Sequence, residues 1–172
     1  MNSNLHDDPE RTTAIGLARY ASEFMEAAMA ADEKMGDRKG FEIIPPTPVL
    51  FLIGQSLELI LKSFLAYKNV PLVKLRKNFK HNINRLLEES KELGLEEIIN
   101  ISDEDQNVIN LLNDLYSSKQ LQYIVTGYKK YPSNGVLEKF VLNLIYAVGR
   151  EVGYQPSNLA KPYKEISATT IN

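Results

Sequence analysis

Glu58 and Lys62 stand one helical turn apart inside Pro48-VLFLIGQSLELILKSFLA-Tyr67, a run that is otherwise almost wholly apolar. At that spacing a carboxylate and an ammonium meet on one helix face. Such a pair is either solvated, and then worth little, or covered, and then each charge depends on the other. His81 follows in the basic run Arg76-KNFKHN-Ile83, and the other histidine of the chain is His6. An imidazole titrates near neutrality and suits proton transfer. Arg76 and His81 also form an Arg-x4-His spacing, in which one residue can hold a phosphate while the other moves a proton. The plainer role for a histidine at a helix start is to pack on a neighbour or bond a nearby carbonyl.

Gln55 shares an arc of this helix with Glu58 and Lys62, yet Phe51, Leu52 and Leu59 project into the same arc. A solvated face would not carry those side chains. The arc is therefore expected to be covered by the 70–85 connector or by a second subunit, and Leu52 and Leu59 beside charges point to a homodimer.

Other residues offer less. Tyr123, Tyr128 and Tyr131 interleave with Lys129 and Lys130, a pattern that can stack bases over a basic strip or simply anchor a loop. Lys77 and Lys80 add positive charge beside His81. His6, Asp7 and Asp8 have metal-binding chemistry but fall in an expected tail, so no metal site is assigned. The chain has no phosphate-binding glycine loop and no nucleophile elbow, and no cofactor is expected.

The elements that must position these groups belong to one domain, the default for 172 residues. A net charge of -2 and a pI near 5.8 exclude a globally basic nucleic-acid binder but not a local basic patch. The lack of cysteine excludes disulfides, zinc-thiolate sites and thiol nucleophiles. The polar, acidic start lacks the features of a signal peptide, and the apolar core of the second helix, Val49 to Leu61, is shorter than the roughly 20 residues of a membrane span. The expected location is cytoplasmic, with no membrane partner.

Apolar spacing predicts a disordered tail over 1–12, a helical domain over 13–153 and a flexible tail over 154–172. Helix one runs from Thr12 or Thr13 to about Met35, and a loop containing Gly36, Gly40 and the Pro45-Pro46 pair follows. Helix two starts with Thr47 as cap and Pro48 in its first turn, and ends near Lys68. A basic connector with Lys74, Arg76, Lys77 and Lys80 leads to helix three, from about His81 to Leu93, which Gly94 stops. Ser102 followed by three acids announces helix four. Residues 117–132 read as an irregular link, and helix five spans about Ser133 to Val152. With no convincing strand, the fold class is all-α, a five-helix up-and-down bundle with one long proline-containing loop.

The string GQSLELILKSFL, the basic connector and then KHNINRLLEESKELGL resemble the HEPN (higher eukaryotes and prokaryotes nucleotide-binding) superfamily. In that group an E-L-x-L-K-x-x-L helix is followed by G-H-D-L entering the next one, and LNDLYSSKQLQYIVTGYKKY is similar to its tyrosine-bearing segment. The resemblance covers about residues 14–150. It implies a HEPN-like helical bundle, often a homodimer, linked to RNA cleavage, nucleotide binding or partnership with a nucleotidyltransferase in toxin-antitoxin and defence systems. It places Glu58, Lys62, His81 and Asn82 on the family's polar positions. Lys80 replaces the family's glycine and Asn82 its aspartate. The family's ribonuclease motif opens a late helix, whereas here Arg76 and His81 precede helix three and Leu121 to Arg150 contains no histidine. The expected function is thus a binding module for nucleic acid, nucleotide or a protein partner, without robust catalysis. The alternative is a metal-independent ribonuclease using Arg76 and His81 in a dimer cleft.

Overall fold

The computed structural model describes residues 11–41 and 44–159. The expected tails therefore lie mostly outside the described residues, as do His6, Asp7 and Asp8. Among the described residues the chain forms six α-helices and a short 3-10 turn, with no strand. The helices are α1 (Ala14–Met35), α2 (Thr47–Tyr67), α3 (Leu72–Lys77), α4 (Ile83–Glu92), α5 (Asp103–Ser117) and α6 (Asn134–Val152), and the turn is Leu95–Glu97. The fold is an all-α helical bundle.

Its centre is α2, which packs on α1, α4, α5 and α6. Small residues on α1, among them Ala18, Ala21 and Ala28, are buried and leave room for α2 to come close. Two serines of α2 then turn inward. Ser56 donates to the Ala21 carbonyl and Ser63 to the Ala14 carbonyl, each at 2.7 Å, so their hydroxyls are satisfied at the helix interface. α2 is long and apolar enough to cross a membrane, but most of its apolar window is buried inside this bundle. α6 closes the centre with Leu137, Phe140, Val141, Leu144, Ile145 and Val148, all buried as its period predicts.

The helix ends follow local chemistry. Thr13 caps α1 through Gly16 N–H, and Ser102 with Asp105 forms a capping box on α5. Gly94, the expected stop, and Gly153 adopt positive φ after α4 and α6 and end them.

Three expectations are corrected. Thr47 is the first residue of α2 rather than its cap; Pro46 holds that place and offers no side-chain bond. His81 lies before α4, not in it, because Asn82 takes the cap position and accepts from Arg85 N–H at 3.0 Å. The basic connector contains a helix of its own. Leu75 and Phe79 are buried in it, and the turn of helix that buries Leu75 is α3. Five helices become six for that reason.

Candidate basic cleft and its carboxylate anchor

Glu58 sits on the inner side of α2 and is 2% exposed. A carboxylate so far from water needs partners for both oxygens. Lys62, one turn later, bonds Oε1. Oε2 is met by two groups from elsewhere, the Tyr116 hydroxyl at 2.8 Å and His81 Nδ1 at 3.0 Å. Lys62 Nζ also reaches the Lys80 carbonyl at 3.3 Å, tying α2 to the residue that precedes His81. The arc of α2 is thus covered by the connector and by the end of α5. Leu52 and Leu59, at the edge of that arc, are half-buried and pack on the core of the same chain.

Tyr116 lies 2.6 Å from Gln55 Oε1 as well as 2.8 Å from Glu58. One hydroxyl proton cannot serve both acceptors. It belongs with the charged carboxylate, and Gln55 completes the set if its amide presents the NH2 group to the phenol oxygen. Burial, reinforced by the negative charge of Glu58 and the bond to it, holds this hydroxyl protonated well above the ordinary phenol range. The ring reaches the site because residue 54 is glycine: a Cβ there would stand 2.6 Å from Tyr116 Cδ2. Phe51 and His81 flank the same ring at centroid distances of 6.0 and 6.2 Å, His81 edge-on.

The backbone just after His81 is fixed by α5. Asn113, buried on that helix, accepts from Ile83 N–H at 2.9 Å and Asn84 N–H at 3.4 Å, so the start of α4 has a second cap from a distant element. Because a carboxylate only accepts, Nδ1 carries the proton shared with Glu58, and Nε2 is left as the nitrogen able to accept. The His81 side chain remains 56% exposed.

That exposed ring faces a cleft of about 900 Å³, lined by Lys62, Arg76, Asn78, Phe79, Lys80, His81, Asn82, Arg85, Ser117 and Lys119. Five of these are lysine or arginine, and no aspartate or glutamate is among them. Arg76, Lys80 and Lys119 have no carboxylate partner among the described residues. Arg85 is held by the Asn78 carbonyl at 3.2 Å and by the Phe79 ring. Two of the lysines, Lys80 and Lys119, adopt left-handed backbone with φ of 48° and 61°. That conformation is unfavourable for a residue with a Cβ, and such strain gathers at functional sites.

The structure brings Glu58, Lys62, Arg76, Lys80, His81 and Asn82 together. It separates the rest. Lys77 does not line the cleft, and Lys74 is neutralised by Glu89 at 2.7 Å. Tyr123 and Tyr128 are exposed on the 117–132 link, whereas Tyr131 is half-buried against the core and serves as the loop's anchor. Sequence reasoning missed Tyr116, Asn113, Arg85 and Lys119. Tyr116 had a signal, since it continues the inward stripe of Ile109 and Leu112, and a core tyrosine needs a partner for its hydroxyl. Gly54, the one glycine of α2, is the matching half. No family model, curated protein or solved structure matches the chain.

Proposed function

We propose that this protein is a binding module whose basic cleft takes a phosphate-bearing ligand, a single-stranded nucleic acid or a nucleotide. The observation that supports this reading is the concentration of Lys62, Arg76, Lys80, Arg85 and Lys119 around one concavity without an acidic residue, on a chain whose net charge is -2. Like charges are held together at an electrostatic cost, and a polyanion relieves it. Glu58 is set behind the cleft and already engaged, so it anchors the floor without repelling an anion at the mouth. The HEPN-like resemblance implies the same class of ligand.

A second reading has its own support. Arg76 and His81 line the same cleft, as a metal-independent ribonuclease would require, and that reading adds a homodimer to bring two such sites together. Binding without cleavage is the reading preferred, because His81 is the one imidazole lining the cleft and the other ionisable side chains there are lysines and arginines.

Titration of a fluorescently labelled single-stranded RNA oligonucleotide, followed by gel analysis of the recovered RNA, tests both. The proposal expects saturable binding, weakened by Arg76→Ala, with the RNA intact. Cleavage lost in both Arg76→Ala and His81→Ala would establish the second reading instead.

A further inference from the structure

The two nitrogens of His81 are not equivalent. Nδ1 is committed to Glu58, a carboxylate 2% exposed and itself held by Lys62 and Tyr116. The neutral ring in this arrangement has its lone pair on Nε2, which has no hydrogen-bond partner among the described residues and belongs to a side chain exposed at the cleft. An imidazole oriented by a buried carboxylate, its other nitrogen free and five cationic side chains lining the same cleft, has the features of an activated nucleophile.

We propose that His81 is a phosphoryl acceptor, modified on Nε2 by a small donor of the phosphoramidate or acyl phosphate class bound among Arg76, Lys80, Arg85 and Lys119. The inference rests on the reading of the cleft as a phosphate site. The Nε2 lone pair attacks phosphorus, an Nε2–P bond forms and the bond from phosphorus to the leaving group breaks. With a phosphoramidate the leaving group departs as the amine or ammonia, and with an acyl phosphate as the carboxylate. The ring gains positive charge as the bond forms. Nδ1 keeps its proton and shares it with Glu58, which offsets that charge, while the cleft cations stabilise the phosphoryl oxygens. Glu58 and Tyr116 are positioning residues in this scheme and do not touch the donor.

His6 supplies an internal control, since it is the one other histidine in the chain. The full chain is incubated with phosphoramidate and, separately, with acetyl phosphate, and the rate of modification at each histidine is followed by mass spectrometry under non-acidic conditions. Phosphorus and nitrogen NMR identify the nitrogen that carries the group. His81 should react on Nε2 about tenfold or more faster than His6 with at least one donor, the enhancement a focused positive field supplies. The donor that works distinguishes the two leaving-group classes. Lys80→Gly and Lys119→Gly should each slow His81, leave the His6 rate unchanged and not lower the thermal midpoint, because glycine accepts the left-handed backbone at both positions. Equal rates at His81 and His6 with both donors, or attachment at Nδ1, overturn the proposal. Inorganic phosphate is titrated against the His81 ring signals in parallel. Phosphate binding without transfer removes the acceptor role alone, whereas no phosphate binding removes the cleft reading as well.

Discussion

His81 donates through Nδ1 to Oε2 of Glu58 over 3.0 Å, joining an exposed turn to the buried face of the central helix. The bond makes the orientation of a cleft residue depend on a carboxylate that solvent does not reach. Cover over Glu58 comes from three separate elements, α2, the turn before α4 and the end of α5, so the site forms only when the bundle does.

The Glu58–Lys62 pair is the first consequence. Their side chains are 3% and 14% exposed, and removing either charge leaves the other in a poorly solvated setting. Glu58→Gln and Lys62→Met should each cost about 3–5 kcal/mol, and the double change much less than the sum. Urea denaturation of the four proteins measures the coupling. Additive losses below about 1 kcal/mol each would show that the pair is solvated in solution.

Tyr116 and Gly54 form one contact and should fail together. Tyr116→Phe removes the hydroxyl from Glu58 and should cost about 1–3 kcal/mol. Gly54→Ala drives a methyl group to within 2.6 Å of the ring and should cost a similar amount, about 1–3 kcal/mol, through overpacking. Thermal melts give both values, and the His81 ring resonances should move in each variant because the tyrosine edge they face is displaced or altered. Unchanged His81 signals in Gly54→Ala would place the tyrosine elsewhere.

Glu138, on α6, has a different character. Burial pushes its carboxyl above the ordinary value of 4.5, and Asp32 nearby adds to the effect. The folded state therefore binds more protons than the unfolded one just above pH 4.5, and stability contributed at this position falls as pH rises through that window toward the raised folded value. Glu138→Gln should stabilise the protein at neutral pH, and the gain should vanish well below pH 4.5. Urea melts across the acid range check the sign. A gain that grows on acidification would contradict it.

Much of this architecture is readable from apolar period and end signals. α1, α2, α5 and α6 carry long apolar stripes, and Leu61 and Leu144 on two of them are fully buried. α3 escapes such reading because its six residues include three cations and only Leu75 is buried. The polar arc of Gln55, Glu58 and Lys62 is visible as an anomaly, but spacing along one helix cannot reveal what covers it. Tyr116 is 58 positions from Glu58, and their meeting is a product of α5 packing on α2. The cleft is harder still. Arg76 and Lys80 stand out in the basic connector, but Arg85 on α4 and Lys119 after α5 join them only when the helices pack, and the near-neutral charge of the chain gives no sign of a concavity.

The salt dependence of ligand binding by a variant that removes charge without disturbing the fold tests the cleft most directly. Lys80 and Lys119 suit this, since glycine fits their backbone and neither makes an ion pair with a described residue. Binding of a labelled single-stranded RNA oligonucleotide is measured across a salt series for the wild type and the Lys80→Gly, Lys119→Gly double variant. Each phosphate contact adds roughly 0.7 to the slope of log affinity against log salt for a single strand, so the double variant should bind more weakly, with a slope smaller by about 1.4. Equal affinity and equal slope in the two proteins would show that the basic cleft is not where the anion binds.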